Sequence, residues 1–281
     1  MTASRQDARP IGVFDSGVGG LTVLAELHRR LPAETMIYLG DNARTPYGPR
    51  PAEEVRRFTL EAVEWLMDQD VKLLVLACNT ATARALDAVR AQVSVPVVGV
   101  VRPGAVAAAA ATRSRQVGVM ATAGTVESGA YPAAILEADA SASVFQLACP
   151  ELVPMVEAGI VDGRRAESVL RAYLDPMLEA EPTLDTLLLG CTHYPLLREP
   201  ISRIVGEGVA VVDSAFTTAL AVEDLLDALG ARSGPGSLPS HRVATTGDVA
   251  AFVTVARRVF GDGLPEVEEA SIEAIGALPV D

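Results

Sequence analysis

Short apolar runs separated by longer amphipathic segments recur along this chain, an alternation that commits it to βαβ units and a mostly parallel sheet. The runs fall at 11–15, 35–39, 72–77, 95–100, 116–121, 143–148, 186–190, 209–212 and 242–244. They are near-continuously apolar, as strands covered on both faces must be. Between them lie stretches such as PAEEVRRFTLEAVEWLMDQD, where Pro51 suits a first helical turn and Glu53 and Glu54 suit the positive end of its dipole. Nine strands are many for one simple wound sheet, so the expectation is an α/β protein with two lobes. The glycine- and proline-rich stretch 230–240 reads as a surface loop.

The 281 residues carry 23 basic and 36 acidic side chains, a net charge of −13. No basic stripe exists to neutralise phosphates, which argues against nucleic acid as a partner. The longest apolar run, 105–111, is too short to span a bilayer, and MTASRQDARP lacks the apolar core of a secretory signal, so a cytoplasmic protein off the membrane is expected. Cys78, Cys149 and Cys191 are odd in number and form no CxxC, which speaks against a disulfide framework. His28, His193 and His241 are scattered, and no second ligand pair accompanies Cys191 and His193, so no metal is expected. Lys72 is the only lysine. It enters the strand that Cys78 leaves, which at ~3.3 Å per residue separates their backbones by roughly 20 Å. Pyridoxal phosphate needs a Schiff-base lysine. Any amino-acid chemistry near Cys78 is therefore expected to run without that cofactor.

One internal similarity points at a site. LLVLACNT, residues 73–80, and TLLLGCTH, residues 186–193, share an apolar run, a small residue, a cysteine and two polar residues, ahead of an expected helix. Parallel strands present their carboxyl ends and the following helix N-termini to a ligand crevice. Two facing lobes would thus set two thiols across one cleft. A helix N-terminus lowers a thiol pKa from its ordinary ~8.5, so one sulfur could take a proton from a carbon while the other returns one. Cys149, in QLACPEL, lacks matching polar partners and reads as a buried structural thiol.

The remaining motifs each allow a plain reading. DSGVGG, 15–20, could cradle an anion on free amides, but it is not GxGxxG and no Lys-Ser/Thr follows. Asp15 is either a helix N-cap or a proton-handling carboxylate. YLGDNARTPYG, 38–48, is an ordinary surface loop or a cleft wall whose Tyr47 and Gly48 touch a ligand. His193 either caps or faces solvent, or shares a proton with Cys191. Asp213 reads as an N-cap.

DSGVGGL, YLGDNARTPYG, LACNTATA and LLLGCTHYPLL, in this order, resemble the cofactor-independent glutamate racemases of the aspartate/glutamate racemase family, over nearly the whole chain. The resemblance implies interconversion of L- and D-glutamate without a cofactor, supplying D-glutamate for peptidoglycan, and commonly a homodimer. It implies two pseudosymmetric three-layer α/β lobes with mostly parallel sheets and the active site between them, residues 1–101 with 214–281 against 102–213. Cys78 would take the α-proton from D-glutamate and Cys191 from L-glutamate. Asp15 would assist Cys78, and His193 with Glu151 would assist Cys191. Ser16, Tyr47, Gly48, Asn79, Thr80 and Thr192, with Asp15 and His193, would hold the substrate. The residues also allow a related racemase or isomerase acting on aspartate, a hydantoin or maleate, a redox dithiol, or an amino-acid sensor.

Overall fold

Two all-parallel sheets organise the computed structural model, which describes residues 6–234 and 236–272. The ends of the expected first lobe, 1–5 and 273–281, and Pro235 in the 230–240 loop lie outside the described residues. The strands are β1 (Ile11–Asp15), β2 (Met36–Gly40), β3 (Leu73–Leu76), β4 (Val97–Gly99), β5 (Gln116–Ala121), β6 (Ser143–Ala148), β7 (Thr186–Gly190), β8 (Ala210–Asp213), β9 (Arg242–Thr245) and β10 (Val267–Glu269). The first sheet runs β10-β9-β2-β1-β3-β4 and the second β6-β5-β7-β8. The nine expected strands are present, and β10 is an addition, a short strand on the edge of the first sheet.

The helices are α1 (Leu21–Arg30), α2 (Ala52–Met67), α3 (Asn79–Gln92), α4 (Val101–Ala111), α5 (Ala123–Ser128), α6 (Ala130–Ala138), α7 (Leu152–Glu157), α8 (Gly163–Ala180), α9 (Arg198–Val205), α10 (Ser214–Leu229) and α11 (Val249–Phe260). None of the described helices is long and apolar enough to cross a membrane.

Strand periodicity divides each sheet's core. Ile11, Val13, Leu73 and Val75 face α1, α10 and α11, while Phe14, Leu74 and Leu76 face α2 and α3. In the second sheet Leu187 and Leu189 join α7, α8 and α9, and Leu188 joins α4 and α6. Both faces are therefore covered, which is why the strands read as unbroken apolar runs.

Lys72 lies at the opposite end of the first sheet from Cys78. Its Nζ donates to Glu34 Oε2 (2.6 Å) and to the carbonyls of Asp7 (2.6 Å) and Ala231 (2.9 Å), tying the chain's beginning to the loop after α10. Its charge is committed to structure. Asp213 caps α10, accepting from the Ala215 amide at 2.9 Å.

Candidate active site

The carboxyl ends of β1 and β3 meet those of β5 and β7. Cys78 leaves β3 as the N-cap of α3, its Sγ accepting from the Ala81 amide (3.4 Å) and donating to Ser16 Oγ (3.3 Å). Cys191 leaves β7, with its Sγ 3.8 Å from His193 Nδ1. Both cysteines line one cavity of about 180 Å³, small beside the roughly 300–1,000 Å³ of drug-sized pockets. A compact ligand fits such a space.

Polar groups line the same cavity. Asn79 Nδ2 donates to Tyr131 Oη across the lobes (2.6 Å), while its buried Oδ1 has no hydrogen-bond partner among the described residues. An unused acceptor on a residue that lines the cavity suits an ammonium group. Thr80 Oγ1 lies 2.8 Å from Thr122 Oγ1, so a hydroxyl pair spans the cleft. Gly48 also reaches across: its carbonyl accepts from the Gly124 amide (2.9 Å), and a Cβ on Gly48 would stand 2.9 Å from Thr122 Cβ. Tyr47 is turned away. Its ring packs between Phe14 and Phe58 and its hydroxyl donates to Asp41, leaving it only backbone groups to offer a ligand.

Several expected placements change. Ser16, Tyr47, Gly48, Asn79, Thr80, Thr192 and His193 all line the cavity, but Asp15 does not. Asp15 is fully buried, accepting from the Gly17 amide (2.9 Å) and Thr192 Oγ1 (3.4 Å). Burial raises its pKa above the ordinary carboxylate value, with the His193 charge opposing. Glu151 is exposed and accepts from Tyr173 Oη (3.2 Å), so it is not the carboxylate on His193. That group is Glu157, whose Oε1 lies 3.2 Å from His193 Nε2. The two glutamates sit at opposite ends of α7. Thr122, an N-cap after β5, is a cavity residue that motif reading missed; its signal was a strand end followed by a polar residue, as at Cys78.

The expected lowering of the Cys78 pKa is reversed. Burial and the nearby Asp15 push it up to about 12, outweighing the Ser16 and Ala81 hydrogen bonds. The helix N-terminus is there, but exclusion of water wins. Cys149 is a core residue that also reaches the cavity wall, and burial raises its pKa to about 12.

His193 goes the other way. Burial opposes its charge, but Cys191 and Glu157 outweigh that and hold its pKa up at about 10, against an ordinary 6.5. Between those values the folded chain binds the proton more tightly than the unfolded one. The stability this contributes is complete below pH 6.5 and is lost as pH rises through 10. His193→Gln is therefore expected to flatten the fall in urea-unfolding midpoint from pH 6.5 to 10. Equal slopes in variant and wild type would contradict the assignment.

A family model for the Asp/Glu/Hydantoin racemases matches residues 11–223. The glutamate racemase of Oceanobacillus iheyensis is 48% identical over 252 residues, covering 90% of this chain and 92% of that one. Among solved structures, Thermus thermophilus glutamate racemase in complex with β-chloro-D-alanine aligns with a TM-score of 0.86 at 43% identity, covering 96% of this chain and all of that one. Francisella tularensis glutamate racemase in complex with D-glutamate aligns at 0.87 and 33% identity, with 96% of this chain and 100% of that one covered. The chain belongs to the Asp/Glu/Hydantoin racemase family, and its two parallel sheets are the paired α/β lobes of the glutamate racemase structures it resembles.

Proposed function

We propose that this protein is a cofactor-independent glutamate racemase in which Cys191 and Cys78 move the α-proton on opposite faces of the substrate. One observation carries the reading: of the three cysteines that line a single small cavity, Cys78 and Cys191 leave the two sheets at corresponding strand ends, β3 and β7. Relatives named glutamate racemase at 42–48% identity, and the D-glutamate held by the Francisella enzyme, support glutamate as the substrate.

From L-glutamate, the Cys191 sulfur takes the α-proton while the His193 imidazolium, held by Glu157, favours negative charge on that sulfur. The electron pair left on the α-carbon spreads into the α-carboxylate, and the Cys78 S–H delivers a proton to the other face. Roles exchange in the return direction. The burial that keeps Cys78 protonated also makes its thiolate a stronger base when D-glutamate is the substrate. Asn79 Oδ1 accepts from the ammonium, and Ser16, Thr80, Thr122 and Thr192 with the Gly48 backbone hold the carboxylates. Those hydroxyls that meet the α-carboxylate stabilise developing charge, and a cavity closed by contact across the lobes limits loss of the proton to water. Asp15 tunes Cys78 and orients Thr192 from behind the wall.

On the same reading the lobes divide as 1–101 with 214–281 against 102–213, the protein is a cytoplasmic homodimer, and its D-glutamate feeds peptidoglycan. Polarimetry of L-glutamate and L-aspartate without added cofactor tests the substrate. Loss of rotation is expected with glutamate. No change, or faster loss with aspartate, would overturn the choice.

A further inference from the structure

The loop between β2 and α2 carries charged groups that no step of the reaction uses. Asp41 is fully buried at the end of β2, and Glu61 on α2 is 2% exposed. Arg44 joins them, donating from Nε to Asp41 Oδ2 (2.6 Å) and from Nη1 to Glu61, with its guanidinium 4.3 Å over the Phe58 ring. Asp41 also accepts from the Tyr47 hydroxyl and from Thr246 Oγ1 (2.7 Å), and Thr246 Oγ1 accepts from the Ala43 amide (3.1 Å). Arg50 Nε donates to the Arg44 carbonyl at 2.9 Å. All these bonds hold one short segment, whose residues Thr45 to Pro49 line the cavity.

Two buried carboxylates and a guanidinium only 22% exposed carry a desolvation cost that their mutual contacts offset in part, since Arg44 Nη2 and Glu61 Oε1 have no hydrogen-bond partner among the described residues. None of the three lines the cavity. The arrangement has one mechanical result: it fixes the Pro46–Tyr47–Gly48 wall relative to α2 and the end of β9. We propose that Arg44, with Asp41 and Glu61, is a positioning residue that holds this wall where its backbone meets a substrate carboxylate. This rests on the reading of the cavity as a glutamate site.

A wall that holds the substrate alike before and during proton transfer contributes uniform binding, so loosening it raises KM and spares kcat. Glu61→Gln keeps the shape and removes the charge. Thr246→Val is milder and removes two bonds from the other side of the segment. Kinetics on L-glutamate, with the melting temperature of each variant, decide the matter. The expected rise in KM is about tenfold for Glu61→Gln and roughly threefold for Thr246→Val, with kcat within about twofold. A cluster serving only the fold would lower the melting temperature and leave KM alone, and that result overturns the proposal, as does a fall in kcat with KM unmoved. If Glu61→Gln does not fold, Thr246→Val decides by the same criterion. A wild type without glutamate racemisation overturns the clamp together with the functional reading, whereas an active wild type with unmoved KM in the variants overturns the clamp alone.

Discussion

Alanine at Cys78 or at Cys191 is expected to lower racemisation by roughly a thousandfold or more in both directions, since positioned proton transfer contributes about 10²–10⁴ and each sulfur is base one way and acid the other. A racemase whose product mirrors its substrate cannot lose one direction alone. The loss differs in scale from any damage to the fold. Cys78 caps α3 through Ala81, and losing an N-cap costs about 0.5–2 kcal/mol, whereas a thousandfold in rate is about 4 kcal/mol of barrier. Melting temperatures should therefore stay close to wild type while turnover disappears. Either variant turning over at near wild-type rate would contradict the assignment.

Gly19→Ala is expected to have the next largest effect although Gly19 performs no chemistry. A Cβ there would overlap Thr192 Oγ1 and stand 2.5 Å from His193 Nδ1 and 2.7 Å from His193 Cε1. The missing side chain lets the turn after β1 press against the segment that carries Cys191. Thr22 marks the same contact, its Oγ1 donating to the Thr192 carbonyl at 3.1 Å. A methyl group must push His193 and Thr192 away, and a misplacement of about 1 Å in a catalytic group costs on the order of 10²-fold. A fall of that size in kcat/KM is expected, and a folded Gly19→Ala protein with unchanged kcat/KM would show that the turn does not set the His193 position.

The strands that carry the site were the most legible part of the chain. β1, β5, β6 and β7 begin and end where their expected runs do; β1 and β7 are buried throughout and β5 in all but its first residue, while β6 is partly exposed. β10 was hidden for the opposite reason: Val-Glu-Glu on a sheet edge is short, charged and supported by one neighbour. The two cysteines stood out because duplication placed them alike. Glu157 did not, since six residues of helix turn a side chain by about 240° relative to Glu151, and only the packing of α7 shows which carboxylate meets His193. Tyr47 and Cys78 illustrate a further limit. Motif and strand end were visible, but burial, which commits the Tyr47 hydroxyl to Asp41 and raises the Cys78 pKa, depends on what the rest of the chain brings around them.

The sharpest test follows hydrogen at the α-carbon during conversion of L-glutamate in D2O, sampled before much product has formed. Two sulfurs acting from opposite sides require D-glutamate to appear with deuterium while the remaining L-glutamate keeps its protium. Product retaining protium, or deuterium entering the unreacted L-glutamate ahead of inversion, would mean that a single group handles both faces, and the account built on Cys78 and Cys191 would be wrong.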